Sequence, residues 1–495
     1  MGEQERVLGA RPKKTRFEPA EEQHELLEQR RYFSIFGKIP KRYVVGIMAF
    51  FGFCNIYALR VNLSVAVVAM TTNHTRYLGG NKSVTVLPDF HWDSHTKGII
   101  LGSFFYGYIF TQIPGGYLAT KIGGKLLFGG GVFLTAVLTL LTPLCARWSV
   151  YLLVAARILM GLFEGVTYPS IHAIWAKWAP PLEKTKLATL AFSGSYVGTV
   201  ISLPLSAALA ESSAGWPAIF YVFGSIAVIW FLLWCFLVAK SPAKHPSISN
   251  KELEYIQGNI GYTDEQTQDL KPPWLSMLTS LPVWAIVAAH FAENWGFYTW
   301  LTELPSFMND VLHFNMYQAG FLAAIPYLLM AIVVQGGGHL ADFLRGRVQV
   351  STEAVRKIFT CGAFIIQVVF MIGAGYTMTR TACMVCLSIA VGIGGFAWGG
   401  FSVNHLDIAP QYASILMGLS NTFATLPGII SPGLTSVIVT TKGDAGQWQI
   451  VFYIAAAIYL AGAILYGIFA SGKRQKWAEV PTGYLPHTEG VEHDD

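Results

Sequence analysis

Apolar and polar stretches alternate along this chain on the length scale of a lipid bilayer. Apolar segments of spanning length, about 17 to 25 residues, lie at roughly 43–70, 98–119, 126–146, 150–172, 187–209 and 218–239. A polar connection from Lys240 to Leu281 follows, and then six more segments at roughly 284–308, 318–337, 358–378, 381–404, 412–437 and 449–470. Within lipid each span must satisfy its own backbone hydrogen bonds, so every segment reads as a helix. The pattern predicts an all-α membrane protein with twelve transmembrane helices in two six-helix halves. The organisation is an N-terminal tail over 1–42, a first half over 43–239, a middle loop over 240–283, a second half over 284–470 and a C-terminal tail over 471–495.

The basic residues orient this arrangement. Of the 34 Lys and Arg, 26 fall in the tails, the middle loop and the other connections on that side, and six fall in connections on the opposite side. Arg60 and Arg157 lie inside spans. Excess cations mark the cytoplasmic face, so both tails and the middle loop are expected there. The first 40 residues contain no apolar run, so no cleavable signal peptide is expected and the first helix directs insertion.

Composition narrows the function. The chain is 53% hydrophobic and 13% charged, whereas soluble domains carry about 25% charged residues, so the lipid bilayer is its principal surroundings. A net charge of +5 is too small to argue for nucleic acid. Cys383 and Cys386 have CxxC spacing without a second ligand pair, and the six cysteines read as small membrane residues, with no metal site. There is no nucleotide-binding loop and no catalytic constellation, which speaks against an enzyme or an ATP-driven pump. A coupling ion, H+ or else Na+, is the only cofactor expected.

The candidate chemistry lies in the charges that the spans bury. Each costs about 2.5–3.5 kcal/mol on insertion scales, so each is a functional hypothesis. Arg60, in Tyr57-Ala-Leu-Arg60-Val-Asn62, offers a planar fork suited to a carboxylate; the alternative is a structural cation paired to another helix. On the fourth span Arg157 and Glu164 stand seven residues apart on one face, with His172 eight further on. A proton competing with Arg157 for Glu164 would give that carboxyl two states, as a coupled carrier requires; the alternative is a permanent Arg157–Glu164 bridge. His172 reads equally as a relay or as a packing group. Gly161 and Gly165 form a small-xxx-small pair that admits a close neighbouring helix. Phe104, Tyr108 and Tyr298 sit near these charges and are candidates to line a substrate cavity, with Asn421 adding an uncharged hydrogen bond from the second half.

Several strings carry a resemblance. Arg60-Val-Asn-Leu-Ser, Gly102-Ser-Phe-Phe-Tyr-Gly-Tyr, Thr111-Gln-Ile-Pro-Gly-Gly, Glu164-Gly-Val-Thr-Tyr-Pro and Asn404-His-Leu-Asp-Ile-Ala-Pro resemble the anion–cation symporter family of major facilitators. That family holds sialin, the vesicular glutamate transporters and sodium–phosphate cotransporter relatives. Gly338-His-Leu-Ala-Asp342-Phe-Leu-Arg345 resembles the glycine-and-cation loop of major facilitators, and its first-half counterpart carries Thr120 at the acidic position. The chain departs from the glutamate carriers at Leu101 and Glu293, where they hold a histidine and an arginine. It departs from sialin at Met160, where sialin has a glutamate. The resemblance implies the major facilitator fold and secondary active symport of a small organic anion, an acidic sugar or acidic amino acid, by alternating access. It implies substrate binding at Arg60 and proton coupling at Glu164, with export from a lysosome or vesicle. The rivals are sodium-coupled cotransport of phosphate or another anion at the plasma membrane, and vesicular loading of glutamate.

The tails and connections add targeting signals. Glu22-Gln-His-Glu-Leu26-Leu27 fits an acidic-dileucine motif for sorting adaptors, and Asn73-His-Thr75 and Asn81-Lys-Ser83 are glycosylation sequons in a connection expected to be luminal. A monomer is expected.

Overall fold

The computed structural model describes residues 39–71, 74–79, 82–260, 271–314, 322–441 and 443–479. The first half comprises α1 (Lys41–Thr71), α2 (Ser94–Ile122), α3 (Gly124–Trp148), α4 (Val150–Trp178), α5 (Lys184–Glu211) and α6 (Pro217–Leu237). The second comprises α7 (Leu281–Asp310), α8 (Ala324–Gly346), α9 (Thr352–Thr377), α10 (Arg380–Ile408), α11 (Ala413–Ile438) and α12 (Ala445–Phe469). Every apolar segment of the sequence thus becomes one helix. Among the described residues, ten helices are long and apolar enough to cross a membrane; α2 and α7 match them in length but carry the polar and aromatic residues of the site described below. Large apolar side chains such as Phe110, Phe236, Ile332 and Val437 stand exposed on the outer surface, where lipid is the solvent that removes their cost.

Two connections acquire structure that the apolar pattern did not indicate. The segment between α1 and α2 contains an antiparallel hairpin, β1 (His74–Gly79) against β2 (Lys82–Val86). The middle loop contains a helix at Asn250–Ile260 and a short one at Trp274–Leu278. Glu252 of the former accepts from the backbone N–H of Lys41 at 2.8 Å and of Arg42 at 3.1 Å. It thereby caps the free N–H groups that begin α1, where the helix dipole favours a carboxylate. Arg42 also reaches Glu183 at 2.5 Å. Burial would raise the Glu183 carboxyl, but Arg42 and Lys186 outweigh it and hold it below the usual carboxylate range.

The halves clamp together at the end of the molecule that bears the tails. Arg345 Nη1 donates to Pro181 O at 2.7 Å, Asp342 accepts from the Lys186 N–H at 2.8 Å, and Lys184 meets Asp407 at 2.5 Å. At the matching position of the other pair, α2 and α11 touch backbone to backbone: Ser414 Oγ donates to Gly116 O at 3.0 Å, and no Cβ fits at Gly116 or Gly418. The acidic position of the second-half loop therefore works as a clamp. Thr120 of the first-half loop only bonds back to Tyr117 of its own helix.

The fourth helix of each half is interrupted. Regular α-helix in α4 stops at Glu164 and resumes at Thr167. In α10 it stops at Ile393 and, after one short turn, passes through a π-helical segment over Trp398–Ser402. Wide turns of this kind gather at functional sites, and broken helices mark the binding region of transporters.

Candidate functional site

Arg60 projects from α1 into the space between α2 and α4. Close helix contact puts it there: Gly161 and Gly165 of α4 lie directly against the backbone of Phe104 and Tyr108 in α2, leaving no room for a Cβ. The small-xxx-small expectation is borne out, and the crossing carries the Phe104 and Tyr108 rings to the guanidinium. The Arg60 guanidinium carbon stands 4.7 Å from the centre of the Tyr57 ring and 4.8 Å from those of Phe104 and Tyr108. Three ring faces around one cation replace part of its lost hydration.

The carboxyl that meets this cation is Glu164. Arg60 Nε donates to Glu164 Oε1 at 2.8 Å, and Nη2 converges on the same oxygen. Both donors share one acceptor, so Arg60 Nη1 and Glu164 Oε2 have no partner among the described residues. A fork aimed at a carboxylate normally uses both oxygens, and this one leaves a donor and an acceptor in reserve.

The ion pair to Glu164 comes from Arg60 and not from Arg157, which acts on that carboxyl only through its charge. Arg157 makes no ion pair among the described residues. Its Nη1 lies 3.6 Å from Met160 Sδ, and its guanidinium rests 5.2 Å from the Phe104 ring centre. Shared helix face fixes only that Arg157 and Glu164 point the same way, and the residue that reaches Glu164 comes from another helix. Phe104 thus lies against both arginines, and the cluster holds two buried cations against one carboxylate among the described residues.

His172 is also placed apart from Glu164. It lies beyond the interruption in α4, where Nδ1 sits 3.1 Å from Tyr168 O and Nε2 3.0 Å from Ser402 O of α10. That position is at the junction of the halves, beside the ring of His405 at 5.3 Å. The proposed trio of Glu164, Arg157 and His172 is therefore not a single site.

The candidate lining residues do come together. Phe104 and Tyr108 stack at 5.5 Å. Asn421 of α11 donates from Nδ2 to Tyr108 Oη and to Gln112 Oε1, both at 3.0 Å, joining the second half to the cage. Tyr298 of α7 meets Phe105 edge-on at 5.7 Å and lies within electrostatic reach of Arg60. Sequence reading missed Gln112, Tyr57 and Tyr168; Tyr57 Oη is 3.1 Å from Tyr168 Oη, tying α1 to α4 below the cation. It also missed Arg356, buried on α9, which donates to Asp407 at 2.7 Å and to Gly399 O at 2.6 Å. The sequons at Asn73 and Asn81 and the motif of Glu22, Leu26 and Leu27 lie outside the described residues.

Among known proteins, the family profile described as Major Facilitator Superfamily matches residues 45–432. The chain is 48% identical over 453 residues to sialin of Homo sapiens, covering 88% of this chain and 90% of sialin. It is 45% identical over 444 residues to vesicular glutamate transporter 2 of Bos taurus, covering 89% of this chain and 76% of that one. Vesicular glutamate transporter 3 of Danio rerio is 45% identical over the same length. Among solved structures, the major facilitator transporter FucP in the outward conformation matches with a TM-score of 0.59 at 14% identity, over 86% of this chain and 99% of that one. The chain is therefore a multi-pass membrane transporter of the major facilitator superfamily, in the family of sialin and the vesicular glutamate transporters.

Proposed function

We propose that this protein is a proton-coupled symporter that exports a small organic anion, an acidic sugar or acidic amino acid, from a lysosome or vesicle. The observation that carries the reading is the charge balance around Phe104. Among the described residues, Arg60 and Arg157 are set against Glu164 alone, so a surplus positive charge is held in a place where charge is costly. A bound carboxylate offsets it.

The half-used pair at Arg60 supplies the coupling. While Glu164 is ionised, it occupies the Arg60 Nε and Nη2 donors. A proton on Glu164 removes the charge that holds it there and frees the fork for the substrate carboxylate, which the Tyr57, Phe104 and Tyr108 rings flank. Substrate and proton then bind together, the condition for symport. Asn421 and Tyr298 tie the second half to the filled cage, and the clamp of Asp342, Arg345 and Lys184 must open for release to the cytoplasm. The acidic-dileucine motif at Glu22, Leu26 and Leu27 directs the protein to its compartment, and Asn73 and Asn81 carry glycans on the luminal side.

The test is uptake of a labelled acidic sugar, and separately of glutamate, into proteoliposomes under an imposed pH gradient and then a sodium gradient. Accumulation under the pH gradient alone is expected. Accumulation that follows sodium and ignores pH would replace the reading with sodium-coupled cotransport.

A further inference from the structure

The second half buries a carboxyl of its own. Glu293, on α7, is 2% exposed and belongs to no ion pair among the described residues. Its polar neighbour is the side-chain amide of Gln367 on α9, itself 1% exposed. The room for both comes from α10: a Cβ at Gly394 would lie 2.5 Å from Glu293 Oε1 and 2.7 Å from Gln367 Nε2. Glu293 Oε2 and Gln367 Oε1 have no hydrogen-bond partner among the described residues, nor has the buried Tyr327 Oη.

The surroundings do not stabilise an anion. The titratable groups that face Glu293 are Tyr196 of α5 and Tyr459 of α12, with Tyr327 of α8 beside them. α11, packed along α7, contains no ionisable residue, and α10 presents Gly394 and Val391 O. An isolated buried carboxylate is very costly and is neutralised instead. Two acceptors of the carboxyl–amide contact lack a donor, and a single proton on Oε2 both removes the charge and supplies a donor.

We propose that Glu293, held by Gln367, is a second proton-binding site, enclosed in the second half and separate from the Arg60–Glu164 pair. Its meaning for transport rests on the proton-coupled reading above, but the proton itself is measurable without transport. The experiment is infrared difference spectroscopy of the purified protein in lipid, between acidic and alkaline sodium-free buffers. The wild type is expected to show a protonated-carboxyl C=O band that is lost on alkalinisation. That band should be absent from Glu293→Gln, retained in Glu164→Gln and shifted in frequency in Gln367→Leu, which keeps the carboxyl and removes its amide partner. A Glu293→Gln spectrum that loses no component of the wild-type band, a Glu293 component that does not titrate, or one unmoved in Gln367→Leu would overturn the proposal. Sodium abolishing the band at constant pH would overturn it in favour of a cation site. If Glu293→Gln fails to fold, the frequency shift in Gln367→Leu decides. A protein that shows the band yet takes up no anion under a pH gradient refutes the coupling reading and leaves this one standing.

Discussion

Two buried arginine–carboxylate pairs in this molecule do opposite work. At the junction of the halves, Asp407 receives Arg356 Nε at 2.7 Å on one oxygen and stands 2.5 Å from Lys184 Nζ on the other. Arg356 is further tied to Thr185 Oγ1 at 3.1 Å and to Gly399 O. Nearer the middle of the bilayer, Arg60 spends two donors on one oxygen of Glu164 and keeps a third group free inside an aromatic cage. The first carboxylate is shared between two cations and two halves, and the second has one partner and an unused oxygen. Burial and unspent hydrogen-bonding groups do not distinguish a strut from a site, since each pair leaves one donor and one acceptor without a hydrogen bond. The number of cations on the carboxylate does: Asp407 meets both Arg356 and Lys184, and Glu164 pairs with Arg60 alone among the described residues.

The contrast breaks first at Arg60. Arg60→Ala and Arg60→Lys are both expected to reduce anion uptake to background while the protein still reaches its membrane, since lysine keeps the charge but loses the fork. Near-normal uptake by the lysine variant would make Arg60 a point charge and erase the difference between the pairs. At the strut, Arg356→Ala leaves Asp407 buried with one cation instead of two. Removing one member of a buried pair costs about 3–5 kcal/mol, so a large drop in thermal midpoint is expected, measured by fluorescence in detergent. An unchanged midpoint would mean that the junction does not depend on the pair.

A smaller effect sharpens the comparison at Arg157, which makes no ion pair among the described residues. Arg157→Gln should raise the half-saturating anion concentration about tenfold, equivalent to about 1.4 kcal/mol, with expression preserved. An unaltered concentration would place the surplus charge outside the binding event. The smallest effect is at Glu183, on the tail-side surface. Its carboxyl is held below the ordinary range, so its contribution is complete above the unfolded value of about 4.3 and is lost as pH falls through the lower folded value. Glu183→Gln should therefore lower the thermal midpoint slightly at neutral pH, and the difference should vanish in strongly acidic buffer. A difference independent of pH would mean that charge is not what Glu183 contributes.

The helices were legible because lipid imposes one solution on an apolar run of about twenty residues. The hairpin of His74–Gly79 with Lys82–Val86 was not, since no apolar run marks that connection. Arg60 and Glu164 stood out because charge is rare inside spans, but their pairing did not. Periodicity relates residues only along one helix, so it joined Glu164 to Arg157 and could not see a cation 104 positions away. Arg356 escaped notice for a different reason. It lies where a basic connection meets an apolar span, and the sequence gives no sign that α9 begins early enough to bury it. The absence of an ion-pair partner for Glu293 among the described residues is likewise a property of six packed helices.

The central claim is that Glu164 exchanges Arg60 for a proton when substrate binds, and Glu164→Gln tests it most directly. Glutamine keeps the shape and imitates a permanently protonated side chain. In one preparation of proteoliposomes, uptake driven by a pH gradient and exchange of labelled for unlabelled anion are measured side by side. The account predicts that pH-driven accumulation is lost while exchange persists, because the neutral form still frees Arg60 for the carboxylate but has no proton to release. Full pH-driven accumulation by Glu164→Gln would contradict it.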